Sequence, residues 1–332
     1  MSVNTESSLK TTNRKIHNLL GLGLALIGIL ILLIVPTLIP PYYSYLLATI
    51  FTTALLATSL NLVLGYGGLL HLHHGVFYGI GAYTVAIILT KTSWPFALAV
   101  ILGPILSAAL AFVIGWFCVR LRGLYFGMLT LALGQLVWAI VYRWNALTNG
   151  DNGIHAIPVP DFLTSISSVY YTTLLVLLVS LLILSKITKS PFGLTLLAAR
   201  DNPVRSESLG INVKQHRLIA FVIAGFFAGV AGVLFVLLER SVAPSLLFWN
   251  KSAEILIMCL MGGLTVFLGP TLGAAILVLL SMIVGLYTEY WLLVLGLLLL
   301  ILVLFLPQGI LGYICEKIKG RRQRGGSLDA SN

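Results

Sequence analysis

Long uncharged apolar runs alternate with short polar breaks along this chain, and the lengths of the runs carry the first inference. A membrane helix needs about 20 apolar residues. Segments that meet or approach this are Leu19–Ile39, Tyr45–Leu64, Gly75–Thr90, Pro95–Val119, Leu124–Trp144, Tyr170–Ile187, Leu218–Leu238, Glu254–Leu268, Pro270–Leu286 and Tyr290–Leu306. The pattern predicts an all-α polytopic transmembrane bundle of about ten helices. Gly262, Gly263, Gly269 and Pro270 break the stretch between Glu254 and Leu286, and parity decides whether it is one helix or two. A single helix would put the basic tail Glu316 to Arg324 outside. With ten crossings and an inside N-terminus, only Lys91, Arg143, Arg240 and Lys251 of the 20 Lys and Arg lie outside, leaving sixteen inside, as cytoplasmic loops rich in Lys and Arg require. The expected organisation is a cytoplasmic segment 1–18, a transmembrane domain 19–310 and a basic cytoplasmic tail 311–332, with both termini inside.

Composition agrees and narrows the class. Apolar residues make up 59% of the chain and charged residues 9%, against roughly 25% charged in soluble domains. From Ile16 to Thr90 there is no Asp, Glu, Lys or Arg. The net charge of +10 sits in membrane-flanking loops and the tail, so it points to orientation and anionic lipid rather than to nucleic acid. Cys118, Cys259 and Cys315 are scattered and have no metal or disulfide spacing. The run from Leu19 to Ile39 is long for a signal-peptide core and no small-residue cleavage site follows it, so a retained helix is expected.

Two stretches interrupt the apolar pattern with glycine. In Gly65 to Tyr83, six glycines break a run without charge, and Gly262 to Ala274 occupies the corresponding place in the C-terminal half. Irregular backbone at membrane depth is tolerated only where it is buried in protein or lines a watery cavity. Paired broken segments in two halves point to a translocation path. Gly75 and Gly79 form a small-xxx-small pair suited to close helix packing. Gly67, Gly68, His71, His73, His74, Tyr78, Gly262 and Gly263 are therefore the candidate path residues. The histidines could bind a metal, relay protons, hydrogen-bond a solute, or simply pack and cap. No Asp, Glu or Cys lies near them in sequence to complete a metal site, and no cofactor is expected.

The densest internal charge lies between Lys186 and Arg217, where six basic residues face Asp201 and Glu207. Two short helices are predicted there. The first runs from about Pro191 to Ala199; the second takes Asn202 as N-cap and Pro203 as its first residue and stops at Gly210. Two helical turns are marginal in water alone. A capped, partly apolar pair on a cytoplasmic face therefore asks for a docking partner, although a plain surface loop would look the same. Between the fifth and sixth crossings, Leu147 to Phe162 reads as a turn-rich outer loop, with Asn149-Gly150 and Asn152-Gly153 as turn signals. Phosphate-binding G-x-x-x-x-G-K-[ST], G-x-S-x-G and H-E-x-x-H motifs are all missing, so an enzyme is not expected and any ATP hydrolysis belongs to another chain.

In their order, Gly68 to Tyr83, Leu121 to Gln135, Leu147 to Pro158, Ser190 to Val222 and Ala253 to Ala274 resemble the permease subunits of branched-chain amino acid ABC importers, the LivM-like half. The resemblance implies a bacterial inner-membrane subunit that pairs with a LivH-like second permease, two cytoplasmic ATPase subunits and a periplasmic binding protein. It implies that the loop 189–217 couples to the ATPase, through Ala198, Ala199, Arg200, Asp201, Pro203, Val204, Glu207, Leu209 and Gly210. That loop looks like a divergent Glu-Ala-Ala loop, with Leu197 where the acidic residue would stand. His71-Leu72-His73 and Thr265-Val266 also depart from the family's usual residues in the two broken stretches. Branched-chain amino acids, urea and short amides thus all remain open as substrates. The reading of a different class is a self-sufficient channel or a proton- or cation-coupled carrier built on the histidines. Such a carrier usually needs an intramembrane acid, and Glu254 alone lies within an apolar segment's limits.

Overall fold

A computed structural model describes residues 30–121 and 123–288, with scattered positions between 23 and 28 and between 290 and 317. Parts of the expected crossings Leu19–Ile39 and Tyr290–Leu306 lie outside the described residues, as do the segment 1–18 and most of the tail. After a helical stretch over 30–38, the chain forms α1 (Pro41–Asn61), α2 (Gly75–Lys91), α3 (Phe96–Cys118), α4 (Leu124–Arg143) and α5 (Ile166–Lys189). The short α6 (Pro191–Asp201) and α7 (Pro203–Ser208) follow, then α8 (Val213–Glu239), α9 (Trp249–Gly262) and α10 (Gly269–Gly285). Among the described residues there is no β-sheet; one antiparallel bridge ties Ile154 in the α4–α5 loop to Val242 after α8, with N···O distances of 2.9 and 2.8 Å.

Among the described residues, five helices are long and apolar enough to span a membrane: α1 with its extension to Tyr66, α3, α4, α5 and α8. The apolar α2 and α10 are shorter, 17 residues each. Helix starts follow local chemistry more than hydropathy. α5 begins before Tyr170 because the Ser165 hydroxyl accepts from the Ser168 N–H, and α8 begins before Leu218 because the Asn212 side chain accepts from the Gln215 N–H. The break expected after Glu254 is present, but α9 runs from Trp249 and ends at Gly262, so residues 263–268 form a turn rather than the end of a crossing.

α1 is the central element, packed against α5, α8, α9 and α10, while α8 also packs against α2 and α3. With lipid tails as apolar as leucine, such contacts depend on close approach and satisfied polar groups. A Cβ on Gly81 of α2 would lie 2.5 Å from the Gly229 carbonyl oxygen of α8, so the two backbones touch where only hydrogen fits. The Ser107 hydroxyl of α3 donates to the Phe77 carbonyl of α2 at 2.8 Å. The hydroxyls of Tyr170 and Tyr171 on α5 reach the Leu32 and Leu33 carbonyls at 2.7 and 3.1 Å, which docks the 30–38 stretch. α4 is peripheral and exposes Leu124, Tyr125, Met128 and Leu136.

Candidate functional site

The candidate path residues begin where α1 unwinds. Its last turn widens, with the Gly67 N–H bonding the Leu62 carbonyl five residues back at 3.1 Å, and Gly68 at φ +64° reverses the chain. Wide turns of this kind are frequent at functional sites. The chain then runs back along α1 to His74, where α2 starts. His71, His73 and His74 are all buried. His74 Nε2 lies 2.8 Å from the Ser59 hydroxyl of α1. His73 Nδ1 lies 3.4 Å from the Ser252 hydroxyl of α9, which accepts from the Gly75 N–H at 2.9 Å. The His71 ring stacks on Phe77 at 5.6 Å and meets the edge of Phe221 at 4.8 Å. Gly134 of α4 makes room for His73, since a Cβ there would lie 2.3 Å from the imidazole Cγ.

Most of this polarity is unspent within the protein. Both ring nitrogens of His71, Nε2 of His73, Nδ1 of His74 and both amide atoms of Asn61 are buried without a protein hydrogen-bond partner. Buried polar atoms are nearly always bonded, because leaving one unmatched costs on the order of 1–3 kcal/mol. The groups offer hydrogen-bond donors and acceptors. Among the described residues, no group of three or more His, Cys, Asp or Glu could hold a metal ion. Glu254, the acid a proton-coupled carrier would draw on, is ion-paired with Lys251 at 2.8 Å.

The two broken segments meet at the end of the bundle that carries α6 and α7. A Cβ on Gly65 would lie 2.7 Å from the Leu264 carbonyl oxygen, and one on Gly263 would lie 2.8 Å from the Gln308 carbonyl oxygen. Gly67, Gly262 and Gly263 are buried and Gly68 is exposed; Tyr78 is buried against Phe235 of α8. The Arg200 guanidinium at the end of α6 donates to the Gly65 carbonyl, and its stem covers Gly68, where an added Cβ would lie 2.6 Å from Arg200 Cγ.

The helix pair is built as the sequence predicts. Asn202 Oδ1 accepts from the Arg205 N–H at 3.0 Å, and Pro203 opens α7. At its end, Gly210 takes φ +83°, while the Ile211 and Gly210 N–H groups return to the Ser206 and Glu207 carbonyls at 3.1 and 3.0 Å, a glycine-based helix stop. Leu196 and Ala199 anchor the pair, and the His216 ring stacks on Phe192 at 5.7 Å. Ala198, Arg200, Asp201, Val204, Glu207, Leu209 and Gly210 are exposed and Pro203 is half-buried. Leu209 is 76% and Val204 62% exposed, so apolar tips stand clear of the fold.

Ser59, Asn61, Gly134 and Ser252 escaped the sequence reading. Ser59 and Asn61 carried a signal, being a polar pair in a run where unmatched polarity is expensive. Glycines 225, 229 and 232 were equally visible as small-residue spacing within α8.

An all-helical bundle with long apolar spans, two broken segments in contact and an exposed helix pair joined to them has the architecture of a polytopic membrane protein. Comparison of the sequence with known families makes this specific. The chain belongs to the family described as branched-chain amino acid transport system / permease component, which matches residues 42–303, and it is thus an ABC transporter permease component. It is 30% identical over 292 residues, 80% of this chain and 69% of the relative, to the high-affinity branched-chain amino acid transport system permease protein LivM of Salmonella typhimurium. The LivM of Escherichia coli gives the same identity and coverage. A nucleoside ABC transporter permease, NupC of Lactococcus lactis, is 24% identical over 204 residues, 56% of this chain and 64% of the relative. No solved structure matches the chain.

Proposed function

We propose that the chain forms one half of the path of an ABC importer for branched-chain amino acids in a bacterial inner membrane, with both termini and the α6–α7 pair cytoplasmic. Its partners are a LivH-like second permease, two ATPase subunits docked on α6 and α7, and a periplasmic binding protein. The observation that carries the reading is the Arg200 link from the exposed helix pair to Gly65, where the two broken segments touch. An ATPase can drive transport only through a contact whose free energy differs between states. α6 and α7 offer that contact, and Arg200 connects it to the segments that must move.

For the solute, the similarity to LivM over most of the chain favours branched-chain amino acids. The start of α2 amid the buried histidines suits a carboxylate, since half-buried helix starts face anionic substrate groups in transporters. The donors and acceptors of Asn61 and the histidines, together with the nucleoside permease relative, favour a nucleoside as the second reading. The ion-paired Glu254 weighs against a proton-coupled carrier.

The test is ATP-dependent uptake by the reconstituted assembly, with labelled leucine, guanosine and urea offered in parallel. Leucine accumulation is expected. His73→Ala should change the apparent affinity about fivefold, the equivalent of one lost hydrogen bond, with insertion intact. Unchanged transport by the His71/His73/His74 triple alanine variant would remove the histidines from the path. Guanosine uptake without leucine uptake would replace the substrate.

A further inference from the structure

At the α6–α7 end of the bundle, residues of α3, those just past it and residues of α8 line a groove of about 750 Å³. Two stripes at four-residue spacing line it. On α3 and the residues just past it these are Phe112, Trp116 and Arg120; on α8 they are Lys214, Leu218 and Val222. Residues four apart share a helix face about 6 Å apart along the axis, so each stripe runs from apolar side chains to a cation at the helix end. The Arg120 guanidinium sits 5.5 Å above the Trp116 ring, which holds the cation beside the groove. Gln215 adds an amide at the same level, and no acidic residue is among those lining the groove. A second groove at the other end of these two helices, of about 470 Å³, is lined from Phe96 to Ile105 and from Phe226 to Leu237, with Phe162, Leu163, and Thr172 and Val176 of α5, and no cation is among them. Ordinary acyl-chain contact suffices there. Of the two grooves, the first joins apolar walls to a pair of positive charges at the helix ends.

We infer that this groove is a binding site for an anionic phospholipid, its acyl chains on Phe112, Trp116, Leu218 and Val222 and its phosphate between Arg120 and Lys214. Charge complementarity selects the occupant. A zwitterionic headgroup carries its own cation beside the phosphate and brings no net charge to the pair, whereas an anionic headgroup brings net negative charge to Arg120 and Lys214, and basic pockets between membrane helices are suited to such headgroups. The inference rests on the membrane-spanning character of the chain and is independent of the transported solute.

Native mass spectrometry of the full chain in detergent tests it, with phosphatidylglycerol and phosphatidylcholine of matched chains supplied in equal amounts. The wild type should retain phosphatidylglycerol in preference. Arg120→Gln with Lys214→Gln should reduce that preference about tenfold or more, as two surface cations are worth to an anionic lipid. Both side chains are exposed, so these variants are expected to fold. The charge-preserving Arg120→Lys with Lys214→Arg should keep the preference. Equal retention of the two lipids by the wild type, or an undiminished preference in the glutamine variant, would overturn the site. The same measurement on the assembled complex asks whether the second permease takes the groove instead; loss of the bound lipid on assembly would also overturn the inference.

Discussion

Gly229 shows how little room separate residues have in this bundle. A Cβ there would lie 2.6 Å from the Ser107 side chain and 2.9 Å from the Pro104 Cα, while its own carbonyl abuts Gly81. Gly229→Val should therefore cost about 1–3 kcal/mol by overpacking. Thermal unfolding in detergent would show this as a lowered midpoint, whereas Gly285→Ala, with nothing within 4 Å of the new Cβ, should leave it unchanged or slightly raised. Equal midpoints for the two variants would contradict the packing account. At this scale the sequence was legible only in part. The Gly75 and Gly79 spacing marked close packing, and both residues do meet neighbours, Gly75 at Ser252 and Gly79 at Leu247. Which partner each would meet was not readable, because small residues advertise proximity without naming its other side. The same limit applies to the histidines: their burial was open in the sequence, and Ser59 and Ser252 reach them from elements 15 and 179 residues away.

Among the elements, α6 and α7 were the most legible, because their starts and stops are set by residues within a few positions: Pro191, Asn202, Pro203 and Gly210. What lay beyond sequence reasoning was the Arg200 bond to Gly65, which joins residues 135 apart and leaves no local trace. A hydrogen bond to a charged donor is worth about 1.5–3 kcal/mol. Arg200→Met keeps much of the stem over Gly68 and removes that bond. The expected result is an assembly that still binds its ATPase subunits but hydrolyses several-fold more ATP per solute imported. A wild-type ratio of hydrolysis to transport would show that the link carries no coupling. The α9–α10 break was also legible, through its glycines, although its contact with Gly65 was not.

For the whole molecule, hydropathy sufficed to give an all-helical membrane bundle, since the spans are uniformly apolar and each needs only its own length to be recognised. The arrangement of those spans, with α1 at the centre and α4 at the margin, depends on contacts between distant segments and was hidden in runs of similar composition. The proposed coupling rests on that arrangement: broken segments meet beside Arg200, and an exposed helix pair projects from the same end. If ATPase subunits dock there, the exposed Leu209 must enter a packed apolar contact, and an unpaired charge in that contact carries a desolvation cost of several kcal/mol. Since Leu209 lies outside the fold's own packing, Leu209→Asp should leave the permease inserted and folded. Co-purification of the Leu209→Asp variant with the ATPase subunits, scored beside ATP-driven leucine uptake, is the most direct measurement: the account predicts that both are lost, and a variant that still binds the ATPase and transports normally would contradict it.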